Sequence, residues 1–165
     1  MSRISERMQI VGGITPVDLQ TAANTGDYIS FKNHDHCTIV IYTGIGTGGD
    51  DPVISLVQAQ DVAATGAKVL NISEVFHKVG STALSAVETF TRVTQTAAAT
   101  YDTAAIDGAE NEAIFVLEID AAQLDTDNNF DCLLAAVADV GSNAQLGCML
   151  YIMSDSSYNG VEAIT

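Results

Sequence analysis

The chain has 165 residues and a mass of 17.3 kDa, is 47% hydrophobic and 16% charged, and carries a formal net charge of −15. That length suits a single domain burying roughly 70% of its unfolded surface, and no apolar run reaches the ~20 residues of a membrane helix. All six basic residues (Arg3, Arg7, Lys32, Lys68, Lys78 and Arg92) precede position 93 and twelve acids follow it, a balance that argues against nucleic acid and anionic membranes as partners.

Residues Met1–Gly13 have mixed polarity and end on Gly12-Gly13. They read as an extended arm ahead of the core. Arg3 and Arg7, with the apolar Ile4, Met8, Ile10 and Val11, have no obvious place in a β core. They are candidates for contact with a partner, and the arm is expected to order only on assembly, since ordering a free segment costs about 1–2 kcal/mol per residue. Thr15-Pro16-Val17-Asp18 can open a helix, with Thr15 as N-cap and Pro16 at the first helical position. The pattern runs out by Asn24-Thr25-Gly26-Asp27, so a turn fits equally well. Tyr28–Asn33 alternates and reads as a strand. Cys37–Thr43 is β-branched and reads as its neighbour, reached through the tight link His34-Asp35-His36.

Gly44–Pro52 is a Gly-rich loop, and Val53–Gln60 a strand with Ile54 and Leu56 on one side. Asp61–Gly66 is a turn region. Lys68–Val79 reads as one long strand, Leu70, Ile72 and Phe76 facing one way and Asn71, Ser73 and His77 the other. Val87–Thr96 reads as a half-exposed strand and Thr96–Asn111 as a weakly patterned surface loop. Three apolar runs follow, Ala113–Ile119, Cys132–Val140 and Gln145–Met153. Each is short and bounded by turn residues, which predicts buried strand. The last two, joined at Gly141-Ser142-Asn143, are expected to be adjacent and central. In the last run Leu146, Cys148, Leu150 and Ile152 share one face, while Met149, Tyr151 and Met153 share the other. Both faces are apolar, which predicts cover on both sides. Ser154–Thr165 has little core pattern.

Turn signals every ten to fifteen residues predict a mainly β fold. The expected form is an antiparallel β-sandwich or jelly roll in one domain over 14–156, with the arm at 1–13 and a tail at 157–165.

Four stretches could carry chemistry. Gly44-Ile45-Gly46-Thr47-Gly48-Gly49 matches G-x-G-x-x-G, but Asp50-Asp51-Pro52 follows where a helix N-terminus should meet pyrophosphate. The loop, with Gly46, Gly48, Asp50 and Asp51, is instead a candidate contact surface. Asp125 to Asp131 spaces oxygen ligands as a calcium loop does, yet Phe130 stands at the sixth position and Ala136 at the twelfth, which excludes an EF-hand. An ordinary Asp/Asn turn is preferred over an irregular ion site. In His34-Asp35-His36-Cys37 only alternate residues converge on a strand, too few for a metal site without help from elsewhere. Cys37, Cys132 and Cys148 have no C-x-x-C spacing and lie inside apolar runs, so reduced, buried thiols and an intracellular place of synthesis are expected. Met1–Arg7 is polar, with no apolar stretch behind it as a signal peptide would have. No nucleophile elbow and no partnered general base is evident. Enzymatic activity, a cofactor and a resident metal are therefore not expected.

The order of segments carries a resemblance. It runs through Ile14-Thr15-Pro16-Val17-Asp18-Leu19, Asn24-Thr25-Gly26-Asp27-Tyr28, Gly49-Asp50-Asp51-Pro52 and Thr65-Gly66-Ala67-Lys68. It continues in Leu124-Asp125 to Phe130-Asp131-Cys132 and in Ala138-Asp139-Val140-Gly141-Ser142-Asn143-Ala144-Gln145-Leu146-Gly147. The set resembles small virion structural proteins of tailed phages, of the capsid decoration or cement kind. The resemblance implies a protein on the capsid surface that binds assembled major capsid protein, with a homotrimer as its natural unit. Short β proteins of head–tail connectors and tails are the alternative. A small-ligand-binding β-sandwich is weaker, because it needs exposed aromatics around a concave site and the chain has no Trp.

Overall fold

The computed structural model describes residues 3–80, 89–106, 111–138 and 141–156. Its strands are β1 (Gln9–Asp18), β2 (Asn24–Thr25), β3 (Ile29–Ser30), β4 (His34–Thr43), β5 (Val53–Ala59) and β6 (Lys68–Leu70). They continue with β7 (Ile72–Val79), β8 (Thr91–Ala98), β9 (Thr100–Asp102), β10 (Ala113–Asp120), β11 (Cys132–Val137) and β12 (Leu146–Ser156). Short 3-10 turns at Ile4–Glu6, Ala104–Ile106, Ala121–Gln123 and Thr126–Asn128 complete the described elements. The large sheet has the order β1-β12-β4-β10-β7-β8; the second sheet is β2-β11-β5-β6, with β3 also on β11 and β9 on β5. Every pairing is antiparallel. The expected β-sandwich is the fold.

Alternation builds the core. Ile39 and Ile41 of β4, Phe115 and Leu117 of β10, and Met149 and Tyr151 of β12 point inward and are essentially inaccessible. Across from them lie Ile54 and Leu56 of β5 and Leu133, Ala135 and Val137 of β11. Each large aliphatic or aromatic side chain so buried contributes about 1.5–3 kcal/mol, which suffices to hold two facing sheets.

Several expectations need correction. Residues 9–13 are not a free arm: they form the start of β1, registered from Gln9 opposite Met153 to Gly12 opposite Leu150. Gly13 does not break the strand but lets it approach the core, since a Cβ there would lie 2.5 Å from Met149 Cε and 2.9 Å from Tyr151 Cε2. The helix considered at Thr15–Asp18 is strand. Pro16 is tolerated because β1 is an edge strand with register shifts around Ile14, where a missing N–H breaks no ladder bond.

His34–His36 is not a link but the first turn of alternation in β4, and β3 and β4 belong to different sheets. The run Lys68–Val79 is two strands. The chain leaves the second sheet after Leu70 and joins the large one at Ile72. A register shift between Ile72 and Glu74 then resets the alternation, so Val75 and His77 face the core and Phe76 does not. Thr96–Asn111 is more than a surface loop: β9 pairs with β5, and Tyr101 and Thr103 are buried. Of the expected strand Val87–Thr96, residues 87 and 88 lie outside the described set, as do 139 and 140 of the run Cys132–Val140.

The largest correction concerns β11 and β12. They are not neighbours but central strands of opposite sheets, facing each other through the core. Nor is β12 covered on both sides. Leu146 is 63% exposed and Leu150 41% exposed, on the face turned away from Met149 and Tyr151.

Candidate functional site

The outer face of the large sheet follows from the pairing registers. Residues opposite one another across an antiparallel sheet share a face and stand about 4.5–5.5 Å apart. One row runs Leu150, Val40, Val116, Phe76, Arg92. A second runs Cys148, Tyr42, Ile114, Lys78. A third runs Ile10, Ile152, Thr38, Glu118. Leu146, Leu150, Tyr42 and Ile10 are exposed, and Phe90 at the β8 side is 51% exposed beneath the Lys78 ammonium, 5.0 Å from its ring centroid. The result is an apolar belt spanning five strands, exposed at Ile10, Tyr42, Leu146 and Leu150, half-buried at Val40, Phe76, Ile114 and Ile152 and buried at Val116.

Charge brackets the belt. Along β10 the outward positions after Glu112 are Ile114, Val116, Glu118 and Asp120, so the apolar pair lies between carboxylates. The Tyr42 hydroxyl donates to Glu112 Oε1 at 2.7 Å. His36 sits between Asp120 (Nδ1 to Oδ1, 2.7 Å) and Glu118 (Nε2 to Oε2, 2.8 Å), and the Thr38 hydroxyl also donates to Glu118 at 2.7 Å. Partial burial alone would lower the His36 pKa, but the hydrogen bonds and charges of Asp120 and Glu118 outweigh it and raise the value above the ordinary one. Arg92 pairs with Glu74.

The sequence-predicted contact residues fall in three places. Ile10 lies on the apolar belt. Val11, on the opposite side of β1, packs against the core and helps line a cleft of about 370 Å³ bounded also by Gln9, Tyr28, Ile29, Val62 and Met153. Arg3, Ile4 and Arg7 are exposed at the turn before β1 and Met8 is half-buried; the backbone N–H groups of Arg7 and Met8 donate to the Ile4 carbonyl at 3.0 and 2.9 Å.

Gly46, Gly48, Asp50 and Asp51 lie in the loop between β4 and β5, and a strand, not a helix, follows them. Asp50 is engaged within the chain. Its Oδ2 accepts the Asn143 N–H at 2.8 Å, the Asn143 side-chain amide at 2.9 Å and the Ser142 N–H at 3.3 Å, and these bonds, the Asn143 side chain first, hold its pKa below the ordinary carboxylate value.

The remaining candidates are local pins. Asp125 pairs with Lys68 and accepts the Asn128 side-chain amide at 2.9 Å from each oxygen. Lys68 lies 4.1 Å from the centroid of the Phe130 ring. Among the described residues no group of three or more His, Cys, Asp or Glu side chains is placed to hold a metal ion. Cys37 and Cys132 are buried, and burial pushes both thiols up to about 12, an Asp131 hydrogen bond adding to the effect at Cys132. Cys148 departs from expectation: it is only half-buried, on the outer face beside Leu146 and Leu150.

Sequence reasoning missed the belt residues Val40, Tyr42, Ile114, Val116, Phe76 and Ile152. The signal was present, because β4, β10 and β12 are apolar at both parities. On β12 it was read as burial on both sides.

Comparison with known proteins finds no matching protein-family model and no matching curated protein. Among solved structures, the fold is similar to the SPBc2 prophage-derived protein YomS, with a TM-score of 0.48 and 11% identity over 90% of this chain and 93% of that one. A second similarity is to the CBM22-1–GH10 portion of xylanase Xyn10B from Clostridium thermocellum, with a TM-score of 0.34 and 10% identity over 97% of this chain and 28% of that one.

Proposed function

We propose that the chain is a non-enzymatic structural protein of a phage virion, a decoration or cement protein that binds and stabilises the assembled shell of major capsid protein. The sequence segments from Ile14 to Gly147 that resemble such proteins support the reading. The observation that carries it is the outer face of the large sheet, where Leu146, Leu150, Tyr42 and Ile10 leave apolar side chains exposed in register. Monomeric proteins rarely expose contiguous apolar surface beyond a few hundred Å², and larger patches mark interaction sites. A protein that binds only the assembled state stabilises that state by mass action, and needs no reacting group to do so. The exposed Arg3, Ile4 and Arg7 supply further contacts, and copies grouped as a homotrimer suit a shell with rotational symmetry.

The test adds purified protein to shells that lack it. Saturable binding with raised thermal resistance of the shell supports the proposal. Recovery in tail fractions of the virion alone assigns the protein to the tail and overturns the capsid reading.

A further inference from the structure

We propose that the outer face of the large sheet is the docking face, and that it fits a protein surface apolar at its centre and carrying Lys or Arg at its rim. The identification of that surface with the capsid shell rests on the function proposed above; the chemistry of the partner does not.

The choice of occupant follows from charge. The carboxylates on and around the belt are Glu74, Glu112, Glu118 and Asp120; the cations are Lys78 and Arg92, with His36 between two of the acids. Arg92 is already paired with Glu74, and Lys78 lies over Phe90. Each of these acids keeps a bond within the chain, Glu118 and Asp120 to His36 and Glu112 to the Tyr42 hydroxyl, but docking removes water from the rim and makes their surplus negative charge unfavourable unless the partner offsets it. A second copy docked through the same face would bring the same carboxylates against them. A basic rim instead meets the negative potential of Glu118, Asp120 and Glu112 with a complementary one and steers association. The apolar rows between those acids supply the contact area, with Leu150, Tyr42 and Phe76 as its larger side chains.

Cys148 is a reporter placed on this face by the sequence itself. It stands opposite Tyr42 in the register, whereas Cys37 and Cys132 are buried in the sandwich. A maleimide should therefore label the purified protein at Cys148 first. The experiment compares that labelling rate in the purified protein and in phage particles carrying it. The expected result is labelling slower by about tenfold or more on particles, as mass action predicts for a largely bound face. Protection should weaken when NaCl rises from about 0.1 M to about 1 M, which shortens the Debye length from about 10 Å to about 3 Å. Leu150→Glu, checked for folding by circular dichroism, should abolish both binding and protection; the labelling ratio of the unmodified chain needs no variant.

Labelling at the free rate on particles overturns the docking face while leaving the virion reading intact. Concentration-dependent protection of the purified protein, with sedimentation as a dimer or larger species, means that a second copy covers the face and overturns the basic-rimmed partner. If the protein is not on particles, the virion reading fails, and the same ratio is taken in extracts of the producing cells. There, protection relieved by salt and by Leu150→Glu upholds the partner chemistry, and labelling at the free rate overturns it.

Discussion

The hydroxyl of Tyr151 on β12 accepts the backbone N–H of Ala135 on β11 at 2.9 Å, tying the two sheets together through the middle of the core. On β11, Cys132 and Leu133 pair with β3 while Ala136 and Val137 pair with β2. Between them the ladder is interrupted, and the Tyr151 hydroxyl takes the N–H that would otherwise be buried without an acceptor. Gly26 fills the same gap, its N–H donating to the Ala135 carbonyl at 3.0 Å. Tyr151→Phe should keep the fold but lose about 1–3 kcal/mol, the usual penalty for an unsatisfied buried donor. Gly26→Ala should be at least as damaging, because its Cβ would lie 2.6 Å from Met149 Cε, 2.7 Å from Tyr151 Oη and 2.9 Å from the Ala135 oxygen. Urea unfolding of both variants measures the losses. An unchanged midpoint for Tyr151→Phe would show that the Ala135 N–H finds water or another acceptor.

A second pin joins the β4–β5 loop to the turn before β12. Gly141 has φ +58°, and a Cβ there would meet Asp50 Oδ1 at 1.7 Å. Gly141→Ala therefore combines left-handed backbone strain, of order 1–3 kcal/mol, with loss of the Asp50 contacts. Because the Asp50 pKa is held down in the folded chain, its contribution is present above the unfolded value of ~3.9 and is lost as pH falls through the folded value. The melting temperature of the unmodified protein minus that of Asp50→Asn should therefore shrink as pH falls from about 5 to about 2.

His36 works in the opposite direction. Its folded pKa is raised, so the folded chain binds the proton more tightly than the unfolded one. The contribution is fully present below the unfolded value of ~6.5 and is lost as pH rises through the folded value. Glu118, Asp120 and Thr38 are the groups that face it. The melting temperature of the unmodified protein minus that of His36→Gln should fall from about pH 6 to about pH 8. A flat difference would show that the imidazole is not charged between its two carboxylates.

The legible part of this fold was its periodicity. Turn spacing and alternation identified the sandwich, the shared side of Ile54 and Leu56, which the structure turns inward, and the strand Ala113–Ile119. Partnering was not legible. Nothing local in Gly141-Ser142-Asn143 distinguishes a hairpin from a crossing between sheets; Asp50, 91 to 93 positions upstream, determines how that turn is held. The same holds at Asn71, where one polar residue marks a change of sheet. The docking face was hidden by an ambiguity of pattern, since apolar residues on both sides of a strand describe both a covered central strand and a strand whose outer side awaits a partner.

That ambiguity can be resolved on β12 with two neighbouring residues. A sequence reading of two-sided burial makes Leu150→Asp lethal to folding. In the structure Leu150 is 41% exposed, whereas Met149 is fully buried among the core side chains. A carboxylate at 150 remains solvated, and the expected change in stability is within about 1 kcal/mol, as for most surface substitutions. A carboxylate at 149 would be buried without a partner, several kcal/mol against a total domain stability of about 5–15 kcal/mol. Met149→Asp should therefore yield little soluble folded protein, and Leu150→Asp should give soluble protein with an unchanged far-ultraviolet circular dichroism spectrum and near-normal melting. If Leu150→Asp fails to fold while the chain is free in solution, the outer face of the large sheet is already covered in the isolated protein, and the docking surface argued from it does not exist in that form.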